Sequence, residues 1–420
     1  MSGAVARKAT GRGTEDEVER AVQYARSKAQ VLNNLSDKLG ELASRCEQKL
    51  WHQLSLAIEE FISTPSVQRV PGLLVDLYHG FIAEFALRLN PLKLVQIAVR
   101  VSQQYSQPSD ACAFLDGVRA LLLESVAPKS ATTTSTSDAA SSSKSKAERL
   151  MREPVLFLEM NVGQLNLQSG NAAKAKEYMD LGLKVLDEII DADPSVIASV
   201  YSLASQYHKT QKNFGEYYKS SLLYLAYVSV ESLPPDFRVA LAVDVSLAAL
   251  LGDSIFNYGE LLLHPIVQSL AGTDYDWLLA LLKCFNKGDI QAYDMVCQRH
   301  SRAMGAQPAL VEKAEALRAK ITLLCLVEHL FSLPPDARSV SLGDIAAHAK
   351  LGTVEEAEDL IVRAMAIKQV SGVINQVNGT LEVEWVQPRV LTHEQVEGLS
   401  HRLEAWSDKL GATQKHIETL

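Results

Sequence analysis

Between Leu317 and Val390, three amphipathic helical stretches run into an alternating strand with almost no linker, and that order leaves few folds open. Leu317, Ile321, Leu324 and Phe331 fall on one helical stripe. Leu333-Pro334-Pro335-Asp336 ends it, because proline has no amide donor and clashes with the preceding turn. Ser341-x-x-Asp344 has the form of a capping box for a second helix, whose Leu342, Ile345, Ala346 and Ala349 share a face until Leu351-Gly352. Thr353-x-x-Glu356 opens a third, with Ala357, Leu360, Ile361, Ala364 and Ile367 as its buried side. Asn378-Gly379 then predicts a type I′ turn with two positive φ values. Beyond it Leu381, Val383 and Trp385 alternate with Glu382 and Glu384, as a half-buried strand requires. Helix, helix, helix, hairpin is the element order of a winged helix.

The charges on these elements oppose a DNA-reading role. The third helix carries Glu355, Glu356, Glu358 and Asp359 against Arg363 and Lys368, and the strand adds two glutamates, whereas affinity for nucleic acid rests on neutralising phosphates with Lys and Arg. The whole chain has a formal net charge of -9. The same ground argues against bulk binding to nucleic acid or to an anionic membrane, and proteins are the expected partners.

Upstream, residues 1–14 are small, polar and basic, a disordered tail by composition. Helical periodicity runs through 15–126: Val18, Val22, Ala25, Ala29 and Leu32, then Leu35, Leu39, Leu42 and Cys46, as two helices or one bent one. Further helices are expected from Leu50 to Phe61, Leu73 to Leu89, Leu92 to Tyr105 and Ala111 to Glu124. Residues 127–147 are serine- and threonine-rich with almost nothing to bury, and read as a mobile surface insert. Over 148–333, paired helices return, with turns at Ser169-Gly170-Asn171 and Gln211-Lys212-Asn213 about 42 positions apart and another at Lys287-Gly288-Asp289. Helices are also expected over Arg238 to Ala249 and Ile255 to Leu263. Each pair exposes an apolar face that only its neighbour can cover, which predicts a right-handed, tetratricopeptide-like solenoid. The fold class is mainly α: this helical-repeat solenoid, the winged helix over 334–390, and a C-terminal helix over 391–420.

No chemistry is written along the chain. Its ten histidines form no H-x-H, H-E-x-x-H or Cys/His cluster, and neither a nucleophile elbow nor a phosphate loop occurs, so no catalytic, cofactor-binding or metal-ligating residue is assigned. Cys46, Cys112, Cys284, Cys297 and Cys325 are scattered and read as reduced and structural, Cys284 as a core residue. With no signal-peptide pattern and no apolar run of membrane-spanning length, cytoplasm and nucleus are the expected compartments.

A helical array capped by a winged helix is the plan of the PCI domain, named for the proteasome lid, the COP9 signalosome and a translation initiation factor. Lys49-Leu50-Trp51-His52-Gln53-Leu54, Leu250-Leu251-Gly252-Asp253-x-x-Phe256-Asn257-Tyr258-Gly259-Glu260-Leu261-Leu262-x-His264-Pro265 and Trp385-Val386-Gln387-Pro388-Arg389-Val390 closely resemble, in that order, a PCI subunit of the proteasome lid. The tail before about Ala43 and the serine-rich insert depart from that pattern. The resemblance implies a non-catalytic scaffold in ubiquitin-dependent degradation, assembled with other PCI and MPN subunits of the lid and needing no cofactor, small-molecule ligand, nucleic acid or membrane. Scaffolds of the signalosome or the initiation factor are the alternative, and a winged-helix nucleic-acid binder stands behind both.

Two candidate interfaces follow. An exposed wing edge bearing Leu381, Val383 and Trp385 offers strand pairing between chains. After the wing, with Thr392 and Gln395 as helix-capping residues, Val396, Leu399, Leu403, Trp406, Leu410, Thr413, Ile417 and Leu420 step 3, 4, 3, 4, 3, 4, 3, the seam of a helix that wants partner helices. The competing arrangement folds Leu399, Leu403 and Trp406 back onto the chain's own winged helix. The resemblance favours a bundle, because lid subunits of this kind gather their C-terminal helices.

Overall fold

A computed structural model describes residues 14–31, 35–126, 137–189, 191–333, 338–389 and 393–418. The tail at 1–13, Leu32, the first part of the insert (127–136), Pro334 to Ala337, the expected cap Thr392 and the last seam residue Leu420 lie outside them. The chain divides into two units: Met1–Lys212 with Lys219–Val228, and Asn213–Tyr218 with Ser229–Leu420.

The first unit is built of helices, and residues with a local reason to start one stand at several of their beginnings. Pro91 and Pro194 occupy first-turn positions where no amide is needed, while Asn90 and Asp193 accept from the free Leu92 and Ser195 amides at 2.9 and 2.8 Å. The stretch expected as one or two helices is two, Thr14–Val31 and Ser36–Glu47. The single helix expected over 73–89 is instead broken into Leu73–Leu77, a π-turn at Tyr78–Ile82, Ala83–Phe85 and a 3-10 turn at Ala86–Arg88. Tyr24 accounts for the slip. Its hydroxyl donates to the Asp76 carbonyl at 3.0 Å, and its ring lies so close to Gly80 that a Cβ there would meet it at 2.4 Å. A side chain inserted into the amide ladder is one of the recognised causes of such a bulge. Phe81 and Phe85 still reach the core, edge to face at 5.0 Å.

The serine-rich insert is helical from Ser137 onward. One helix runs Ser137–Gln168, so the expected helix start at 148 comes too late. Once residues from Met151 on are packed, adding a helical residue upstream costs no new nucleus, and Ala139, Ala140, Lys144, Lys146 and Ala147 are adequate helix formers. This helix packs on Pro108–Val126, Ala172–Glu188 and Pro194–Thr210. Leu156, Met160, Met179, Val196, Val200 and Leu203 form the core between them. The turns at Ser169-Gly170-Asn171 and Gln211-Lys212-Asn213 are where the spacing puts them, with positive φ at Gly170 and Lys212.

In the second unit, Pro235–Leu251 is helical, but the helix expected over Ile255 to Leu263 shrinks to Gly259–Leu263. Tyr258, fully buried, donates towards the Ala249 and Ile255 carbonyls at 3.3 Å, and the irregular segment wraps around it. The hairpin Asp276–Lys287 and Ile290–Arg299 turns at Gly288, whose φ is +63° and whose missing Cβ would collide with the Cys325 backbone at 2.8 Å. Only glycine satisfies both conditions. Ala314–Ser332 then leads into the winged helix: β1 (Ser339–Ser341), helices Leu342–His348 and Val354–Ala366, β2 (Val370–Asn375) and β3 (Thr380–Val386).

The sheet is antiparallel with order β1-β3-β2, Val340 opposite Leu381 and Ile374 opposite Leu381 on the other side. Two expectations change here. The turn is a four-residue loop in which only Gly379 has positive φ and the Asn375 side chain accepts from the Asn378 amide at 3.2 Å, so the type I′ geometry is replaced by an Asx-held turn. And β3 is the central strand rather than an edge, because three residues before the first helix pair with it as β1.

Candidate protein-interaction surfaces

The C-terminal helix, His393–Glu418, is about 39 Å long at 1.5 Å per residue. The described segment before it ends at Arg389. That guanidinium, 7 % exposed, donates to Glu328 at 2.7 Å and to the Asn286 carbonyl at 2.8 Å, tying the segment after β3 to two different helices. Burial pulls its pKa down and Glu328 opposes the shift. The Gln387 amide adds a bond to the Gln369 carbonyl at 2.8 Å. The seam on the helix is open to solvent. Val396, Leu399, Leu403, Trp406, Leu410 and Ile417 are each between 45 and 66 % exposed, so Leu399, Leu403 and Trp406 are not folded back onto the winged helix.

The three candidate wing residues separate. Leu381 is fully buried in the core made by Leu342, Ile345, Leu360, Ile361 and Val370 with Leu326, Val327 and Leu330, so it cannot be an interface residue. In a central strand, the side chain on the helix-packed face has nowhere else to go. Val383 is half-buried against the same core, with its amide bonded to the Arg338 carbonyl at 2.8 Å. Trp385 is 46 % exposed opposite Ser371, next to an irregularity in the pairing at Ser371/Gly372.

The strands with an unpaired outer side are β1 and β2, and of the two β2 is the longer, which the alternation of β3 could not reveal. Beside β2 lies a groove of about 540 Å³, lined by Val362, Val373, Ile374 and Val377 with Glu358 and Glu382. Val377, at the tip of the loop, is almost completely exposed. The acidic groups of the third helix face outward: Glu355, Glu356 and Asp359 are exposed, and Glu358 accepts from the Gln376 amide group at 3.0 Å.

A larger cleft of about 690 Å³ in the second unit has Leu317, Phe256, Leu351 and Ile367 in its wall together with Lys320. Lys320 donates to the carbonyls of Ala249, Leu250 and Gly252 at 3.1, 3.0 and 2.7 Å and lies over the rings of Phe256 and Tyr258. It caps the exposed carbonyls of the helix Pro235–Leu251, a structural task. Burial pulls its ammonium down to about 7, with Asp253 opposing. Among the described residues no group of three His, Cys, Asp or Glu side chains is arranged to hold a metal, and no helix is long and apolar enough to cross a membrane.

Comparison with known proteins places these surfaces in a family. Residues 38–282 match the model of the PSD13 N-terminal repeats and residues 297–385 that of the PCI domain. The 26S proteasome non-ATPase regulatory subunit 13 homolog B of Arabidopsis thaliana is 40 % identical over 95 % of this chain and 97 % of its own length. The 26S proteasome regulatory subunit RPN9 of Saccharomyces cerevisiae is 30 % identical over 89 % of this chain and 90 % of its own. The Dictyostelium discoideum subunit 13 is 28 % identical over 94 and 96 %.

Proposed function

This chain belongs to the family of the 26S proteasome non-ATPase regulatory subunit 13, and from that premise we propose that it is a non-catalytic scaffold of the regulatory-particle lid, joined there to other PCI and MPN subunits in cytoplasm and nucleus. The observation that carries the proposal is the open seam on His393–Glu418. Six large apolar side chains on one stripe of a helix otherwise polar are stable in water only at a cost, and partner helices remove it.

By itself the seam leaves little surplus for association. Full burial of such a side chain is worth about 1.5–3 kcal/mol, so finishing the burial of six that are half-exposed contributes roughly 5–10 kcal/mol. Association costs about 4–15 kcal/mol in lost freedom and side-chain ordering. A second contact makes incorporation firmer, and the winged helix offers one in Trp385 and the unpaired side of β2, where an added strand from a neighbour satisfies free amides and carbonyls.

The test is truncation after Leu391, with Leu403→Ala plus Trp406→Ala as the matching point variant, each co-expressed with the other lid subunits. The expected result is a soluble, cooperatively melting chain that stays out of the lid on a native gel. Normal incorporation of both would refute the seam as an interface; aggregation or loss of the cooperative melt would assign the helix to the chain's own fold.

A further inference from the structure

The seam has an electrical handedness that specifies its partner. With Val396, Leu403, Leu410 and Ile417 in the first core column and Leu399, Trp406 and Thr413 in the second, Arg402, Lys409 and His416 all fall on the flank beside the second column. The flank beside the first holds Ser400, Ser407 and Gln414, which carry no charge, and the next column out is Glu397, Glu404 and Glu418. Arg402 and Lys409 are exposed, and neither meets a carboxylate among the described residues. On the acidic side, by contrast, Glu404 lies 3.5 Å from His401 and Glu418 accepts from Gln414 at 2.9 Å.

This pattern argues against a second copy of the same chain as the occupant. In an antiparallel pair the basic flank faces itself, Arg402 and Lys409 against their equivalents, and like charges across a seam destabilise. In a parallel pair the basic flank faces Ser400, Ser407 and Gln414, which offer no compensating charge. Resting on the scaffold reading above, we infer that the helix seated on this seam is an amphipathic helix of another protein whose flanking positions are acidic where they meet Arg402 and Lys409. The uncharged serine flank lets a neighbour approach closely, so the carboxylates are required on one side only. The arrangement makes pairing selective by charge while the apolar columns supply the attraction.

The experiment uses the full-length chain and two synthetic helical peptides with identical leucine and isoleucine seams, one with glutamate and one with lysine at the flanking positions. The glutamate peptide binds roughly tenfold or more tightly, since two attractive flank pairs replace two repulsive ones. The difference collapses at 1 M salt, where the screening length is about 3 Å. Arg402→Glu with Lys409→Glu inverts the preference, and Leu403→Ala with Trp406→Ala abolishes binding of both peptides. Equal affinity for the two peptides, or a preference unmoved by the charge reversal, overturns the inference while leaving the seam reading intact. Undiminished binding by the Leu403→Ala, Trp406→Ala chain overturns both.

Discussion

Lys320 shows how one residue can look reactive and be architectural. A lysine drawn down to about 7 beside a cleft has the profile of a nucleophile, yet its three protons point at three carbonyls and two aromatic faces lie against it. Its titration has a definite sign. The folded chain releases this proton near 7 and the unfolded chain holds it to about 10.5, so between those values the unfolded state binds more protons and stability rises with pH. Below 7 both states are protonated and the cost of the buried charge is at its full value. Relative to Lys320→Met, the wild-type chain therefore gains stability in chemical denaturation between pH 7 and 9, with a slope approaching about 1.4 kcal/mol per pH unit. A constant difference between the two across that range would mean that the carbonyls and rings hold the ammonium charged throughout.

At the scale of elements, the central place of β3 separates two residues that alternation alone treats alike. Leu381 and Trp385 are both on the apolar phase of the strand, but one is sealed beneath two helices and the other lies open opposite Ser371. Leu381→Ala removes a fully buried side chain and costs about 2–5 kcal/mol. Trp385→Ala gives up half-exposed surface at the sheet's end, so its melting transition stays within a few degrees of wild type while incorporation into the lid weakens. Circular dichroism melts of the two variants, run beside native-gel assembly, check both halves; a Trp385→Ala chain as unstable as Leu381→Ala would make the tryptophan a core residue.

Over the whole molecule, charge distribution decides which winged-helix function is open. Net charge is -9, and the helix that would enter a DNA groove presents Glu355, Glu356 and Asp359 to solvent. Duplex DNA of any sequence should be neither retarded nor protected by this chain at about 0.15 M salt, and lowering the salt should not rescue binding with the steep slope of a phosphate-neutralising protein. A salt-sensitive shift in a gel-retardation assay would refute this. The same acidic face beside β2, together with the basic flank of the terminal helix, gives the second unit two surfaces of opposite sign, each paired with exposed apolar side chains.

The division between what was legible in the chain and what was not follows the range of the interactions. Helical period, proline starts, the turns at Ser169-Gly170-Asn171 and Lys287-Gly288-Asp289, the Thr353 cap and the heptad spacing are each set by residues within one or two turns of one another, so composition and spacing determine them. The family could be read from three short segments for the same reason. The π-turn depends on Tyr24 reaching Asp76, the break after Leu251 on Tyr258 and on Lys320 nearly seventy residues away, and the centrality of β3 on a three-residue strand too short to show any period. Arg389, which the sequence marks only as part of a family segment, ties the end of the winged helix to Glu328 and Asn286, 61 and 103 positions upstream. Local patterns carry no information about which distant donor will take a given carbonyl. Folding decides that, because a buried polar group must find its partner wherever the packed chain brings one.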